Sequence, residues 1–91
     1  MTKKAMTEKY TIMMDDAISK RDFYKDCLLT VINAYCTIEE IGQNSLRKLI
    51  FITLARSEDK GHIEDIMRNW GYLQKAEREV TILTQVICDL H

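Results

Sequence analysis

The sequence contains no proline and only three glycines, Gly42, Gly61 and Gly71, among its 91 residues. These residue types break and redirect the backbone, so their scarcity leaves few places where a helix must end. Between the glycines, apolar residues recur with a period near 3.6 and do not alternate. We therefore expect an all-α protein, a small bundle of three to five helices with a long C-terminal helical segment. At this length the chain is a single domain over residues 1–91.

The chain also lacks the patterns of disulfide frameworks, zinc sites and membrane spans. Its three cysteines, Cys27, Cys36 and Cys88, are an odd number without C-x-x-C spacing, which favours free thiols in a reducing compartment. No apolar run has the length that a signal peptide or a membrane span requires. These absences predict a cytoplasmic protein that does not bind a membrane.

Positive and negative charges are nearly balanced, because 13 Lys and Arg residues stand against 14 Asp and Glu residues, which gives a net charge of -1. No overall positive field therefore draws the protein to nucleic acid. One local basic patch is conceivable near the N-terminus, and a nucleic-acid-binding transcriptional regulator is one hypothesis that uses it. The patch consists of Lys3, Lys4, Lys9, Lys20, Arg21 and Lys25. Acidic residues interspersed with them, such as Asp15 and Asp22, favour a solvated helix face.

No catalytic set is recognisable in the sequence. It has no glycine-rich phosphate loop and no nucleophile paired with a base. A metal site at Glu58, His62 and Asp65 would need one unbroken helix, whereas residues 59–61 have the composition of a turn. We expect a protein that is not an enzyme and that holds no metal or cofactor.

The first half of the chain predicts two amphipathic segments. Ser19 is a candidate N-cap for a helix from about residue 20 to 36, and the preceding segment is either a short helix capped by Thr7 or runs directly into it. A turn is expected around Gly42. The helix from Ser45 to about residue 56 is apolar over much of its circumference, which predicts a central, buried element.

The C-terminal third carries the strongest pattern, a heptad-like seam of apolar residues at spacings of three and four. It forms either one long helix or two helices joined near Gly71. Because Ile82 and Val86 widen the apolar stripe, we expect a partner or a second copy of the chain to cover it. The predicted interface residues are Trp70, Leu73, Val80, Leu83, Val86, Ile87 and Leu90. The alternative is that this helix folds back on residues 23–35 within one chain.

The stretch SEDKGHIEDIMRNWG, residues 57–71, follows a predicted helix and has the layout of the second half of a helix-turn-helix. A DNA-reading helix presents basic or amide side chains in its first turn. Here that turn carries Glu64 and Asp65, with Glu58 and Asp59 just before it. These carboxylates suit the positive end of a helix dipole better than they suit a phosphate backbone.

The central stretch NSLRKLIFITLARSEDKGHIEDIMRNWGYL resembles the small enterobacterial biofilm and acid-resistance regulators of the AriR (YmgB) type. The similarity covers about a third of the chain. Its shared positions are Ser45, Leu46, Leu49, Ile50, Leu54, Asp65 and Ile66. The resemblance implies a small helical dimer that connects signalling pathways by binding a regulator and, in some accounts, DNA. The longer C-terminal seam and the acidic corner depart from that family, and no functional residue is carried over.

The leading hypothesis is a small non-enzymatic regulatory or inhibitory protein that binds a protein partner through apolar helical faces. The surplus of apolar seam predicts that it also forms a homodimer. The sequence fits both a bacterial regulator and a phage-type inhibitor of a host complex. It does not identify the partner.

Overall fold

A computed structural model describes residues 2–91, which form four helices. Their bounds are Lys3–Tyr35 for α1, Ile38–Gln43 for α2, Leu46–Arg56 for α3 and Lys60–Leu90 for α4. No strand occurs in this part of the chain. The predictions of an all-α fold, of three to five helices and of a long C-terminal helix are confirmed. No helix within residues 2–91 is long and apolar enough to cross a membrane.

The first helix, α1, is continuous over 33 residues. Thr2 caps it, because its side chain accepts a hydrogen bond from the backbone N–H of Ala5. The prediction that Ser19 starts a helix is wrong, since Ser19 is exposed in the interior of α1. The hydroxyls of Thr7 and Thr11 donate to carbonyls four residues earlier, so these polar residues do not interrupt the helix. The segment before residue 20 runs directly into the one after it.

The chain turns through two short connections between α1 and α3. Thr37 caps α2 through a capping box, in which its hydroxyl accepts from the N–H of Glu40 and the Glu40 carboxylate accepts from the N–H of Thr37. Ser45 caps α3 by accepting from the N–H of Lys48. The region predicted as a turn around Gly42 is therefore mostly helical.

The last helix, α4, is one unbroken helix of 31 residues. Asp59 caps it by accepting from the N–H groups of Gly61 and His62, so the expected turn is shorter than residues 59–61. Gly71 lies in the helix interior with open space around it. One glycine costs a helix only about 1 kcal/mol, and packing along the rest of α4 outweighs this cost.

The helices α1 and α4 are antiparallel neighbours over most of their length. Tyr35 meets His62 at one end, and Met14 meets Thr84 far towards the other. Helix α3 lies beside the first of these ends, with Arg56 donating to the carbonyl of Tyr35. We call residues 21–76 the head, which includes α2 and α3. Residues 3–20 and 77–90 are the arm, where α1 and α4 pair with each other and α3 reaches only as far as Leu46, beside Val80 and Thr81.

The hydrophobic core lies in the head. It consists of Leu28, Ile32, Cys36, Leu49, Ile50, Ile66 and Leu73. Helix α3 covers one side of the α1–α4 pair and leaves Phe51 exposed, so the prediction that α3 is central is wrong. The prediction that it is a buried element is confirmed, since three of its 11 residues are buried, a larger share than in the other helices. In the arm, only Ala17 and Leu83 are buried among the described residues.

The molecule is elongated and thin. It measures 54 × 27 × 15 Å and its radius of gyration is 16.7 Å, whereas a compact chain of this length has a radius of gyration of about 12 Å. In the head, α3 packs on one side of the α1–α4 pair, whereas along most of the arm no third helix packs on the pair. Both faces of the arm are consequently open.

The internal packing of α4 gives a stability prediction. Leu73 is 0% exposed, so Leu73→Ala should lower the free energy of unfolding by about 2–5 kcal/mol through lost apolar contact and the cavity left behind. Ile82→Ala, at an exposed position of the same helix, should change it by less than about 1 kcal/mol. Urea denaturation followed by circular dichroism measures both. Equal effects of the two substitutions would contradict the packing described above.

Candidate functional site

One face of the α1–α4 pair carries a row of aromatic and apolar side chains. We call this row the aromatic strip, and it consists of Met13, Phe23, Tyr24, Tyr72 and Ile82. Met13 is 45% exposed, Phe23 61%, Tyr72 46% and Ile82 55%. Tyr24 is half-buried. Exposed large side chains grouped in this way mark interaction surfaces more often than single exposed ones do.

The strip results from helical spacing combined with the antiparallel register. Met13 and Tyr24 are eleven positions apart and lie on the same side of α1, about 16 Å from each other along the axis. Ile82 lines a shallow hollow together with Met13. The rings of Tyr24 and Tyr72 lie with their centroids 5.1 Å apart. The strip therefore runs along the groove between the two helices.

The aromatic end of the strip is ordered by ring contacts. Tyr24 and Tyr72 are tilted by 32°, and Phe23 meets Tyr24 edge-on with a centroid distance of 5.3 Å. Such offset and edge-to-face pairs are favourable beyond their buried area. The rings are consequently held in place before any partner arrives, which reduces the entropy lost on binding.

Two shallow hollows lie along the strip. One, of about 170 Å³, lies between Tyr24 and Tyr72, and the other, of about 380 Å³, lies between Met13 and Ile82. Lys20 and Glu79 line both hollows. Open hollows of this kind suit protruding side chains of a protein partner, since small-molecule sites enclose most of their ligand.

Charged side chains alternate beside the strip. The ammonium of Lys20 lies 3.1 Å from the carboxylate of Asp16. This hydrogen bond and the charge of Asp16 raise the pKa of Lys20, and the charge of Glu79 adds to the shift. Because these groups are largely exposed, their mutual attraction adds little to stability. They instead give the strip a charge pattern that a partner can match.

The residues predicted as an interface lie along the seam that α4 presents to α1. Leu73 and Leu83 are buried within the chain, and the others are half-buried: Trp70, Val80, Val86, Ile87 and Leu90. The heptad spacing therefore corresponds to the contact with α1. More exposed apolar side chains of α4 lie beside the seam, at Tyr72 and Ile82, which are 46% and 55% exposed. Sequence reasoning did not bring these together with Met13, Phe23 and Tyr24, because that requires the register between α1 and α4.

The six basic residues of the proposed nucleic-acid patch are distributed over different parts of α1. Lys20 lies beside the aromatic strip, whereas Arg21 and Lys25 line a hollow next to Leu46. Lys3 and Lys4 lie near His91 at the tip of the arm, and Lys9 lies over the ring of Tyr10. Lys20 and Arg21 are each paired with an aspartate.

A cluster of polar side chains joins the helix ends in the head. Arg56 donates to both carboxylate oxygens of Glu40, at 2.9 and 2.7 Å, and to the carbonyl of Tyr35 at 2.7 Å. The hydroxyl of Tyr35 lies 3.3 Å from Nδ1 of His62. These contacts connect all four helices and occupy the groups that make them. Within residues 2–91 there is no cluster of three or more His, Cys, Asp or Glu side chains arranged to hold a metal.

The pairing of Glu40 with Arg56 predicts a pH dependence of stability. Hydrogen bonds from Arg56, followed by that from the Thr37 N–H, lower the pKa of Glu40 from 4.5 to about 2. Since the folded state holds the proton more weakly than the unfolded state, this contribution is fully present above pH 4.5. It is lost as the pH falls towards 2.

Melting temperatures measured by circular dichroism between pH 6 and pH 2 test this contribution. We expect Glu40→Gln to flatten the acid limb of the curve relative to the unmodified protein. The matched control is Glu39→Gln, at the neighbouring exposed carboxylate, which should leave the limb unchanged. Parallel curves for the two variants would show that the Arg56 contact adds no acid-sensitive stability.

Comparison with known proteins adds no relative to this description, because no family model matches the chain and no curated protein or solved structure is detectably similar to it.

Proposed function

We propose that this chain is a small non-enzymatic regulatory or inhibitory protein that binds a protein partner through its helical faces and self-associates as a homodimer. The observation that carries the proposal is the aromatic strip, in which ordered rings and aliphatic side chains are exposed along one groove. The resemblance of the central stretch of the sequence to biofilm and acid-resistance regulators fits an adaptor role. A phage-type inhibitor of a host complex would use the same surface.

The composition of the strip suits a protein partner. Tyr, Phe and Met are enriched in protein interfaces, and binding energy concentrates in a few aromatic anchors surrounded by polar residues. A strip about 16 Å long across two helices has the size of such a central cluster, within the roughly 800 Å² that one side of a specific interface covers. Nucleic acid would need a basic surface, whereas Asp16 and Glu79 flank Lys20 here.

The groove also suits a particular form of partner. An amphipathic helix laid between α1 and α4 could place side chains into the two hollows, in the helix-in-groove mode of recognition. The hollows lie about 10 Å apart along the axis, near the spacing of positions i and i+7 on such a helix. We therefore favour a helical segment of the partner as the bound element.

A non-enzymatic role is supported by the polar cluster in the head, whose groups are occupied in joining helix ends. Glu40 and Arg56 pair with each other, and Arg56 also holds the end of α1. Action in the cytoplasm is part of the same proposal. It is supported by Cys27, Cys36 and Cys88, which are all free thiols in the structure, as a reducing compartment keeps them.

Capture of a partner from a host extract, with paired variants as bait, tests this function. Ile82→Asp places a charge in the strip and should reduce retention of the specific partner about 30-fold, the effect of losing an interface anchor of about 2 kcal/mol. The matched control is Ile38→Asp on α2, where Ile38 is 90% exposed and distant from the strip. A partner retained equally by both variants would refute the assignment to the strip, and failure to retain any specific protein would refute the function.

A further inference from the structure

We infer that the arm binds a second copy of this chain through the face opposite the aromatic strip, with the two arms stacked antiparallel about a two-fold axis. We call this surface the threonine face, and it consists of Thr11, Met14 and Ile18 of α1 with Val80, Thr81 and Thr84 of α4. The inference rests on the self-association proposed above and adds the surface that mediates it.

The threonine face lies on the side of the α1–α4 pair that α3 covers in the head. Leu46, at the start of α3, lines a hollow with Lys25 of α1 and with Val80 and Thr81 of α4. From this hollow towards the tip of the arm, α3 no longer covers this side, and the groove between α1 and α4 is exposed. Met14 and Thr84 meet across that groove, with the hydroxyl of Thr84 4.0 Å from the sulfur of Met14.

The outline of the molecule on this side is a step. Helix α3 forms the raised part, and the arm forms a ledge that extends about 26 Å along residues 3–20. When two ledges stack antiparallel, each arm packs on the exposed face of the other arm, in the space that α3 does not occupy. Each α3 then lies beyond the tip of the other arm. A parallel stack would bring the two α3 helices into collision, so the step selects the antiparallel arrangement.

The chemistry of the threonine face suits contact with a copy of itself. A two-fold axis places residues near it opposite their own copies, so any charge there would face a like charge. The six residues of the threonine face are uncharged, whereas Asp16, Lys20 and Glu79 line the middle of the strip side. Charged residues also occur on the threonine side, where Arg21, Asp22, Lys25 and Glu77 line the hollow beside Leu46, but that hollow lies at the head end of the ledge, away from the axis. In an antiparallel stack these charges face the tip of the other arm, and the axis passes between uncharged residues.

The threonine hydroxyls are already hydrogen-bonded within the chain. Thr11 donates to the carbonyl of Thr7, Thr81 to that of Glu77 and Thr84 to that of Val80. Burying these residues against another surface therefore leaves no hydroxyl donor unsatisfied, and their methyl groups gain apolar contact. The face behaves as an apolar surface although half of its residues are polar by type.

The available area fits a second copy better than a single helix. Two helices side by side are about 20 Å wide, so a ledge of about 26 Å offers about 500 Å² from each copy. The total, about 1,000 Å², reaches the lower limit of a specific interface. A lone helix would cover only half the width and leave Ile18 or Val80 at the edge. The arm, in which only Ala17 and Leu83 are buried, would gain a second layer along its length.

Charge substitutions at Thr84 test the inference, because this exposed residue lies near the middle of the ledge and thus near the axis. The unmodified protein should have twice the 10.7 kDa chain mass in sedimentation and light scattering at micromolar concentrations. Thr84→Glu and Thr84→Lys should each weaken association at least about tenfold, since like charges then face each other. Mixing the two variants should restore the double mass. Circular dichroism establishes that each variant is folded.

Two further variants complete the design. Thr11→Glu, exposed on α1, repeats the test from the other helix if a Thr84 variant does not fold. Ile82→Glu on the aromatic strip is the matched control, and it should leave the dimer intact.

The outcomes separate this inference from the proposed function. A dimer that is lost in Thr84→Glu, restored in the mixture and retained in Ile82→Glu supports the assignment. A dimer lost in Ile82→Glu but retained in Thr84→Glu and Thr11→Glu overturns the threonine face and leaves self-association standing. An unmodified protein of single mass at high micromolar concentration overturns both, while partner capture by the strip is decided separately by the Ile82→Asp and Ile38→Asp pair.

Discussion

The antiparallel contact between α1 and α4 is the constraint on which the other features depend. A helix in a bundle has an apolar stripe that must be covered, and along the arm each of these two helices has only the other to cover it. Leu83 and Ala17 are buried there, but the side chains flanking them remain accessible on both sides. In the head, α3 covers one of these sides with Leu49 and Ile50. The other side is open over the whole length of the pair.

Much of the fold could be predicted from the sequence, because local signals agree with it. The absence of proline, the period near 3.6 and the cap at Ser45 all indicate the helices that the structure contains. Ser19 was predicted to be an N-cap but lies inside α1. Serine is acceptable in both positions, and only the surrounding packing decides between them. The turn expected at Gly42 is a capped short helix, since Thr37 and Glu40 satisfy each other's backbone groups.

The surfaces were harder to predict than the helices. The spacing from Ile63 to Leu90 defines a stripe on α4, yet periodicity cannot state whether α1 or a second copy covers that stripe. The structure shows that Leu73 is buried inside one chain. The aromatic strip depends on the register that places Tyr24 opposite Tyr72, and register is a property of the pair of helices. Exposed Phe23 and Met13 carry no sequence signal that distinguishes them from core residues.

The two open faces of the arm differ in chemistry, and the proposals assign a different role to each. If two arms stack through the threonine face, the two aromatic strips lie on opposite outer surfaces of the dimer. A partner with two binding segments, or a partner that is itself dimeric, is then held at two points. Such bivalent binding exceeds the affinity of either contact when the geometry allows both at once. A monomeric strip of modest area could thereby act at low partner concentration.

The antiparallel pairing also determines how the chain closes on itself. Tyr35 and His62 are separated by 27 residues along the chain, whereas Met14 and Thr84 are separated by 70. Closing the short loop in the head first leaves each further pair along the arm only a small additional entropy to lose. We therefore expect the arm to form by extension from the head outwards and to open in the reverse order. On this basis the amide hydrogens of the head core should exchange with solvent slowest, and those near the tip fastest.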